Sequence, residues 1–335
     1  MPENDEGAPQ RKLALLFPGQ GSQHPGMGRR IHEISSAARR VFAQADEVLG
    51  FRLSRLCFEG PEEELENTVN TQPAILATSM AYLAFMRERL EELGKRRMPS
   101  LVAGHSLGQF TAAVASGALD FTDGLRLVVE RARIMAEWAR TRPGGLASIL
   151  GLNSEDVERV CQEASGRESA WVAVVNAPGQ TVISGEAGAL QRAMALARER
   201  GAKVLRLPIG VPGHSPVMRD AARELSRFIS TLKFRDPQPP LVSNISAQLV
   251  SSAEDVRQEL SEQICAAVQW AGCFLAMLNE GTSTFVEVGP GHALSRIARR
   301  IHEGVRIVTL HDGLPDELLS AGLPEVRPAK VKAIR

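Results

Sequence analysis

The segment Leu101-Val102-Ala103-Gly104-His105-Ser106-Leu107-Gly108 constrains this chain more than any other. Its apolar start reads as a buried strand, and Gly104–Gly108 fits G-x-S-x-G, a turn too sharp for bulky neighbours. Ala112, Ala113 and Ala115 then mark a small-residue helix. Such an elbow lifts a serine Oγ clear of the backbone and aims the first N–H groups of the helix at a developing oxyanion. The plainer alternative is a glycine-rich turn whose serine merely caps the helix. Either way, strand–turn–helix alternation calls for a largely parallel α/β sheet.

Other segments fit that frame. Leu13-Ala14-Leu15-Leu16-Phe17, stopped by Pro18-Gly19, reads as a buried strand feeding a tight loop. Apolar residues recur at helical spacing from Met27 to Gly50, and a second helical stretch follows Gln72-Pro73. After Pro143-Gly144-Gly145 the character changes. Leu146–Leu152 reads as a strand, Ser154–Ala164 as a helix N-capped by Ser154, and Trp171–Asn176 and Thr181–Ser184 as two strands. Ala187–Arg200 is helical and Lys203–Leu207 is a strand, which completes the β-α-β-β-α-β order of a ferredoxin-like unit. Leu241–Asn244 and Phe285–Val288 return as strands, and Ala293–Ile301 as an arginine-bearing helix. The expected fold is therefore an α/β body with a parallel sheet, residues 12–142 and 210–312, carrying an inserted small domain over 143–209. Residues 1–11 read as a polar leader and 313–335 as a solvated tail.

Length and charge limit the functions available. At roughly 150 residues per domain, 335 residues suit a two-domain enzyme. Lys plus Arg and Asp plus Glu are both 39, so no global field draws in nucleic acid. No apolar run approaches the ~18 residues that span a bilayer. The polar, acidic start does not resemble a secretory signal, and Cys57, Cys161, Cys265 and Cys273 show neither CxxC nor zinc-like spacing. Together these predict a cytoplasmic protein, monomeric by default, with no metal and no membrane or nucleic-acid partner.

A serine nucleophile needs a base. Of seven histidines, His32 and His302 fall in polar helical stretches, His24 and His292 follow glycine-containing loops, and His311 lies near the tail. His105 adjoins the nucleophile and suits a pocket wall. His214 stands in the rigid Val211-Pro212-Gly213-His214-Ser215-Pro216 loop just after the inserted unit, where an imidazole can face the cleft between domains. Asp120, Asp123 and Asp156 read as cap or turn acids, so a Ser–His pair oriented by a neutral group fits better than a triad with an acid.

Five ordered motifs carry a resemblance: Phe17-Pro18-Gly19-Gln20-Gly21-Ser22-Gln23, the GHSLG elbow, Val211-Pro212-Gly213-His214, Val268-Gln269-Trp270 and Val288-Gly289-Pro290-Gly291. Over roughly residues 12–305 the chain resembles malonyl-CoA:acyl carrier protein transacylases and the acyltransferase domains of polyketide synthases. The resemblance implies a hydrolase-like fold with a ferredoxin-like insertion. It also implies a ping-pong transfer of a malonyl-type group from CoA to an acyl carrier protein, in fatty-acid or polyketide biosynthesis, with no cofactor beyond the thioester substrates. On it, Ser106 matches the nucleophile, His214 the general base, and Gln269 the position whose backbone carbonyl orients that base. The N–H groups of Gln20 and Leu107 match the oxyanion hole. Arg131 matches the arginine that grips the free malonyl carboxylate, a task suited to a planar, permanently charged guanidinium. Asn176 closes the cleft from the small domain.

Arg296, Arg299 and Arg300, spaced i, i+3, i+4, gather positive charge on one helix side and are the expected dock for an acidic carrier-protein helix. Two departures from the family stand out. Gln109 replaces the usual Glu after the elbow, and Gly213 replaces the Ser or Phe that malonyl-specific relatives carry before the base. Gly213 enlarges the acyl pocket. That keeps two alternatives open: transfer of a larger acyl group between carrier proteins, and hydrolysis of acyl thioesters.

Overall fold

The computed structural model describes residues 12–94 and 98–310, so the leader, His311 and the tail lie outside the described residues. Two sheets organise the chain. The larger runs β10-β9-β1-β2-β7-β8, with β1 (Lys12–Phe17), β2 (Leu101–Gly104), β7 (Leu241–Val242), β8 (Leu249–Val250), β9 (Thr282–Glu287) and β10 (Ile307–Thr309). Every pairing in it is parallel except β7 with β8. Leu13 to Phe17 are all buried, as a strand covered on both faces and flanked by parallel neighbours requires.

Register places the functional loops together. Phe17 pairs with Gly104 and Leu16 with Glu287. The loops beginning at Pro18, His105 and Val288 thus leave the same carboxyl edge of the sheet, where ligands of open α/β sheets bind. Glycines let those loops close on one another. A Cβ on Gly104 would overlap the Gly108 carbonyl, and one on Gly108 would overlap the Phe17 carbonyl. The G-x-S-x-G spacing is therefore a packing requirement.

The smaller sheet is antiparallel, in the order β4-β5-β3-β6, with β3 (Gly144–Leu150), β4 (Ala170–Ala177), β5 (Gln180–Glu186) and β6 (Lys203–Arg206). Helices Ser154–Ala164 and Ala187–Glu199 cover one face, burying Val157, Val160, Leu190 and Ala193 against Ile149 and Ile183. Leu146, Val174 and Val182, from the same strands, pack instead in a cluster with Val268 and Trp270 of the larger body. A backbone bridge, Val175 N–H to Val268 O and Val268 N–H to Ala173 O, both 2.9 Å, ties the two bodies together. This is the α/β fold with an inserted β-α-β-β-α-β unit that the sequence predicts.

Several local expectations are corrected. The single helical stretch from Met27 to Gly50 is two helices, Arg29–Ile34 and Ser36–Leu49. They break at Ser35, whose buried side chain caps the second by accepting from the Ala38 N–H. The next long helix begins at Thr68, ahead of Gln72-Pro73, because Asn67 supplies a cap to the Val69 N–H and the proline falls early in the helix. Asn153, not Ser154, caps helix Ser154–Ala164 by accepting from the Asp156 N–H at 2.7 Å. The strand expected over Leu241–Asn244 stops at Val242, and Asn244 turns inward beneath the elbow. Among the described residues no helix is long and apolar enough to cross a membrane.

Candidate active site

Ser106 sits at the tip of the elbow with φ +53°, a left-handed conformation that a residue with a Cβ rarely adopts. His214 is the second such residue, at φ +59°. The two side chains meet, with Ser106 Oγ 2.7 Å from His214 Nε2. On its other side the imidazole donates Nδ1–H to the Gln263 carbonyl at 2.9 Å, so Nε2 is left as the acceptor for the serine proton. Burial, and then the positive charge of Arg131, push the His214 pKa down to about 4. The imidazole is therefore neutral and ready to accept a proton at neutral pH.

Gln263, not Gln269, supplies the carbonyl that orients the base. The Gln269 carbonyl is committed to the Cys273 N–H at 2.9 Å, in the first turn of helix Trp270–Asn279, and its own N–H donates to Asn244 O. The short 3₁₀ turn Gln263–Cys265 instead presents the Gln263 and Ala266 carbonyls to Nδ1, at 2.9 and 3.3 Å.

Arg131 comes from the helix Phe121–Thr141 and is 2% exposed. One guanidinium nitrogen donates to Gln72 Oε1 at 2.7 Å, and the group lies over the Phe110 ring, 5.2 Å from its centroid. Its Nε is buried without a hydrogen-bond partner, and no carboxylate forms an ion pair with it among the described residues. Burial lowers its pKa to about 10, which still leaves a cation at neutral pH. Burying such a charge unpaired is costly, so the arrangement is suited to an incoming anion.

These groups share one cavity of about 240 Å³ between the two sheets, lined among others by Gln20, Leu107, Met135 and Gly213. The Gln20 loop is pressed against the elbow, since a Cβ on the adjacent Gly19 would stand 2.5 Å from the His105 carbonyl. The Ser106 N–H is occupied by Asn244 Oδ1 at 2.9 Å, so it is the Leu107 N–H at the helix entrance that remains to face a ligand. His105 points away from Ser106 toward the small sheet, meeting Asn176 Oδ1 at 2.8 Å and packing edge-on against Trp270. Burial lowers the His105 pKa. At Gly213 an added Cβ would find just Met135 Cε, at 3.9 Å, so the space beside the base is open. Gln109 is fully buried, accepting from the Gly104 N–H and donating to the Val242 carbonyl, which makes it part of the elbow's support.

Arg296, Arg299 and Arg300 are exposed on helix Ala293–Ile301, and no ion pair holds them among the described residues. Ala293, Leu294 and Ile297 of the same helix line the cavity. Sequence reasoning missed Gln72, Asn244 and Gln263. All three are uncharged and act over long chain separations, so no local pattern marks them.

Comparisons with known proteins place the chain. The model of the acyl transferase domain family matches residues 14–311. A malonyl CoA-acyl carrier protein transacylase of Bacillus subtilis is 38% identical over 316 residues, covering 94% of this chain and 98% of that protein. The crystal structure of a malonyl-CoA:acyl carrier protein transacylase from Xanthomonas oryzae superposes with a TM-score of 0.85 at 41% identity, covering 90% of this chain and 95% of the other. A malonyl-transacylase in complex with its type II polyketide synthase acyl-carrier protein superposes at 0.84 with 36% identity, covering 90% and 96%.

Proposed function

The chain belongs to the acyl transferase domain family, and we propose that it moves a malonyl group from coenzyme A to the phosphopantetheine thiol of an acyl carrier protein through an ester on Ser106. His214 Nε2 takes the Ser106 proton as Oγ attacks the thioester carbonyl. The N–H groups of Gln20 and Leu107 stabilise the oxyanion that forms. As the C–S bond breaks, His214 returns the proton to the departing thiolate of CoA. The carrier thiol then reverses these steps on the ester. No acid is required, because the Gln263 carbonyl holds the imidazole in the tautomer that the transfer uses.

The observation that carries the substrate assignment is Arg131, a buried cation with no acidic partner among the described residues, in the cavity that holds Ser106 and His214. A malonyl thioester brings the missing carboxylate, and a guanidinium can grip it through two parallel hydrogen bonds. The same feature favours transfer over general thioester hydrolysis, which gains little from such a clamp. The basic side of helix Ala293–Ile301 is the proposed carrier-protein dock. Its three arginines, without an ion pair among the described residues, complement an acidic helix, and the cavity-lining residues of the same helix put a partner seated there beside the site.

Donor discrimination by Arg131→Ala tests the assignment. Malonyl-CoA should lose the equivalent of ~2–5 kcal/mol in kcat/KM, while acetyl-CoA is spared or improved. Equal losses for the two donors would make Arg131 a structural residue and remove the case for malonyl.

A further inference from the structure

Beneath the elbow lies a polar cluster that the reaction above does not use. Asn244 is fully buried and has every polar atom engaged. Its Oδ1 accepts from the Ser106 N–H and from Gln263 Nε2, both at 2.9 Å. Its Nδ2 donates to the Gly104 carbonyl at 2.8 Å and approaches Gln109 Oε1 at 3.4 Å. The backbone is held equally: the Asn244 N–H donates to Glu259 Oε1 at 2.7 Å, and its carbonyl accepts from the Gln269 N–H at 2.7 Å. Glu259 Oε2 in turn accepts from Ser243 Oγ at 2.6 Å. Gln263 touches both members of the pair, its side chain donating to the Ser106 carbonyl at 2.9 Å and its own carbonyl accepting from His214.

Resting on the assignment of Ser106 as nucleophile and His214 as base, we propose that Asn244 is a positioning residue for the pair. It holds Ser106 in its left-handed conformation and, through Gln263, sets the imidazole against Oγ. The conformation at φ +53° costs free energy and persists where surrounding bonds over-determine it. Here the bonds are to the two peptide groups that flank His105, at Gly104 O and Ser106 N–H, from one amide. The same amide oxygen anchors Gln263, so the nucleophile and the base are located from a single buried point. A serine–histidine site without an acid has no carboxylate to fix its geometry. The Asn244–Gln263 pair performs that service with neutral groups, so it adds no negative charge beside the imidazole.

A fluorophosphonate probe tests this independently of the acyl group. Ser106 Oγ forms a bond to phosphorus as fluoride leaves, and His214 takes the hydroxyl proton. Asn244→Ala should slow labelling by about 10- to 100-fold, the scale of a small misplacement of reacting groups. Adding Gln263→Ala to it should cost little more than the worse single change, because the two act as one unit. Asn244→Asp keeps the volume and separates positioning from packing. Its ionised carboxylate cannot donate to Gly104 O, whereas its protonated form can. Labelling relative to wild type should therefore rise as pH falls from about 8 toward about 5, a range in which the introduced carboxyl, buried beside Glu259, takes up its proton.

Wild-type rates in a folded Asn244→Ala would overturn the proposal. So would an Asn244→Asp rate that keeps a constant ratio to wild type across that range, which decides the matter even if the alanine variant does not fold. A wild type that is labelled at Ser106 but rejects malonyl-CoA would overturn the proposed donor and leave Asn244 in its role.

Discussion

The two walls of the cavity are built in opposite ways. On the large-body wall, Ser106, His214 and Arg131 are each held by a hydrogen bond to a neighbouring residue, and the backbone around Ser106 is pinned by Gly104 and Gly108, which allow no Cβ. On the small-sheet wall, Ser148, Val174, Asn176, Gln180 and Val182 come from strands and form an uncharged surface of mixed polarity. Asn176 reaches across it to His105. The first wall spends stability on strained backbone and an unpaired buried cation, the pattern expected where bonds are made and broken. The second shapes and closes. Changes at Ser106 and His214 should therefore reduce the rate of acylation whatever the donor, and changes at the groups that bind or line, Arg131, Gly213 and Asn176, should alter which donors fit and how tightly.

The largest effect should come from the base. His214→Ala is expected to slow acylation by at least ~100-fold, the usual scale for a general base. In the wild type, a histidine whose pKa is lowered to about 4 by burial and by Arg131 keeps accepting protons well below pH 6. The acylation rate should hold as pH falls from neutral and drop as the pH passes through that low value. Arg131→Ala removes a repelling charge, so the drop should move to higher pH, toward the ordinary imidazole value. Stopped-flow rates across pH measure both, and an unmoved profile would separate Arg131 from the base.

Gly213→Phe fills the space beside Met135 and should act on donor choice. Each carbon in an apolar pocket is worth ~1–3 kcal/mol, so C2-substituted malonyl donors should be lost first and malonyl kept best. Competition between donor thioesters reads this directly, and unchanged ratios would mean that the open space is not where the acyl group lies. Asn176→Ala should have the smallest effect, within ~1.5 kcal/mol, because it removes one neutral hydrogen bond. That loss should appear in KM with kcat nearly intact. A loss in kcat comparable to that of His214→Ala would collapse the distinction between the walls.

Much of this arrangement is legible in the chain alone. The β-α-β-β-α-β order shows because strand and helix periods alternate cleanly between turn residues, and the elbow shows because its glycines are demanded by backbone overlap at Gly104 and Gly108. Ser106 and His214 stand out by residue type and loop context, although 108 positions separate them. The supporting amides do not. Asn244 meets Ser106 across 138 positions and Gln72 meets Arg131 across 59, and a neutral side chain at such a distance leaves no periodic or charge signature. The carbonyl that orients His214, at Gln263, lies six residues before the Gln269 to which the family resemblance points. A backbone acceptor is independent of side-chain identity, and which carbonyl reaches the imidazole is set by how the chain turns through Gln263–Cys265. Helix caps missed by one residue, as at Asn153 and Ser154, have the same origin: both residue types can cap, and the tertiary position decides.

The central claim is that Ser106 carries the acyl group between two thiols. Intact-mass measurement after mixing the protein with malonyl-CoA, followed by a chase with phosphopantetheinylated acyl carrier protein, tests it most directly. The account predicts a malonyl adduct that maps to Ser106, is absent from Ser106→Ala, and moves to the carrier when the carrier is added. An adduct that persists in Ser106→Ala, or one lost to water at the same rate with and without the carrier, would contradict it.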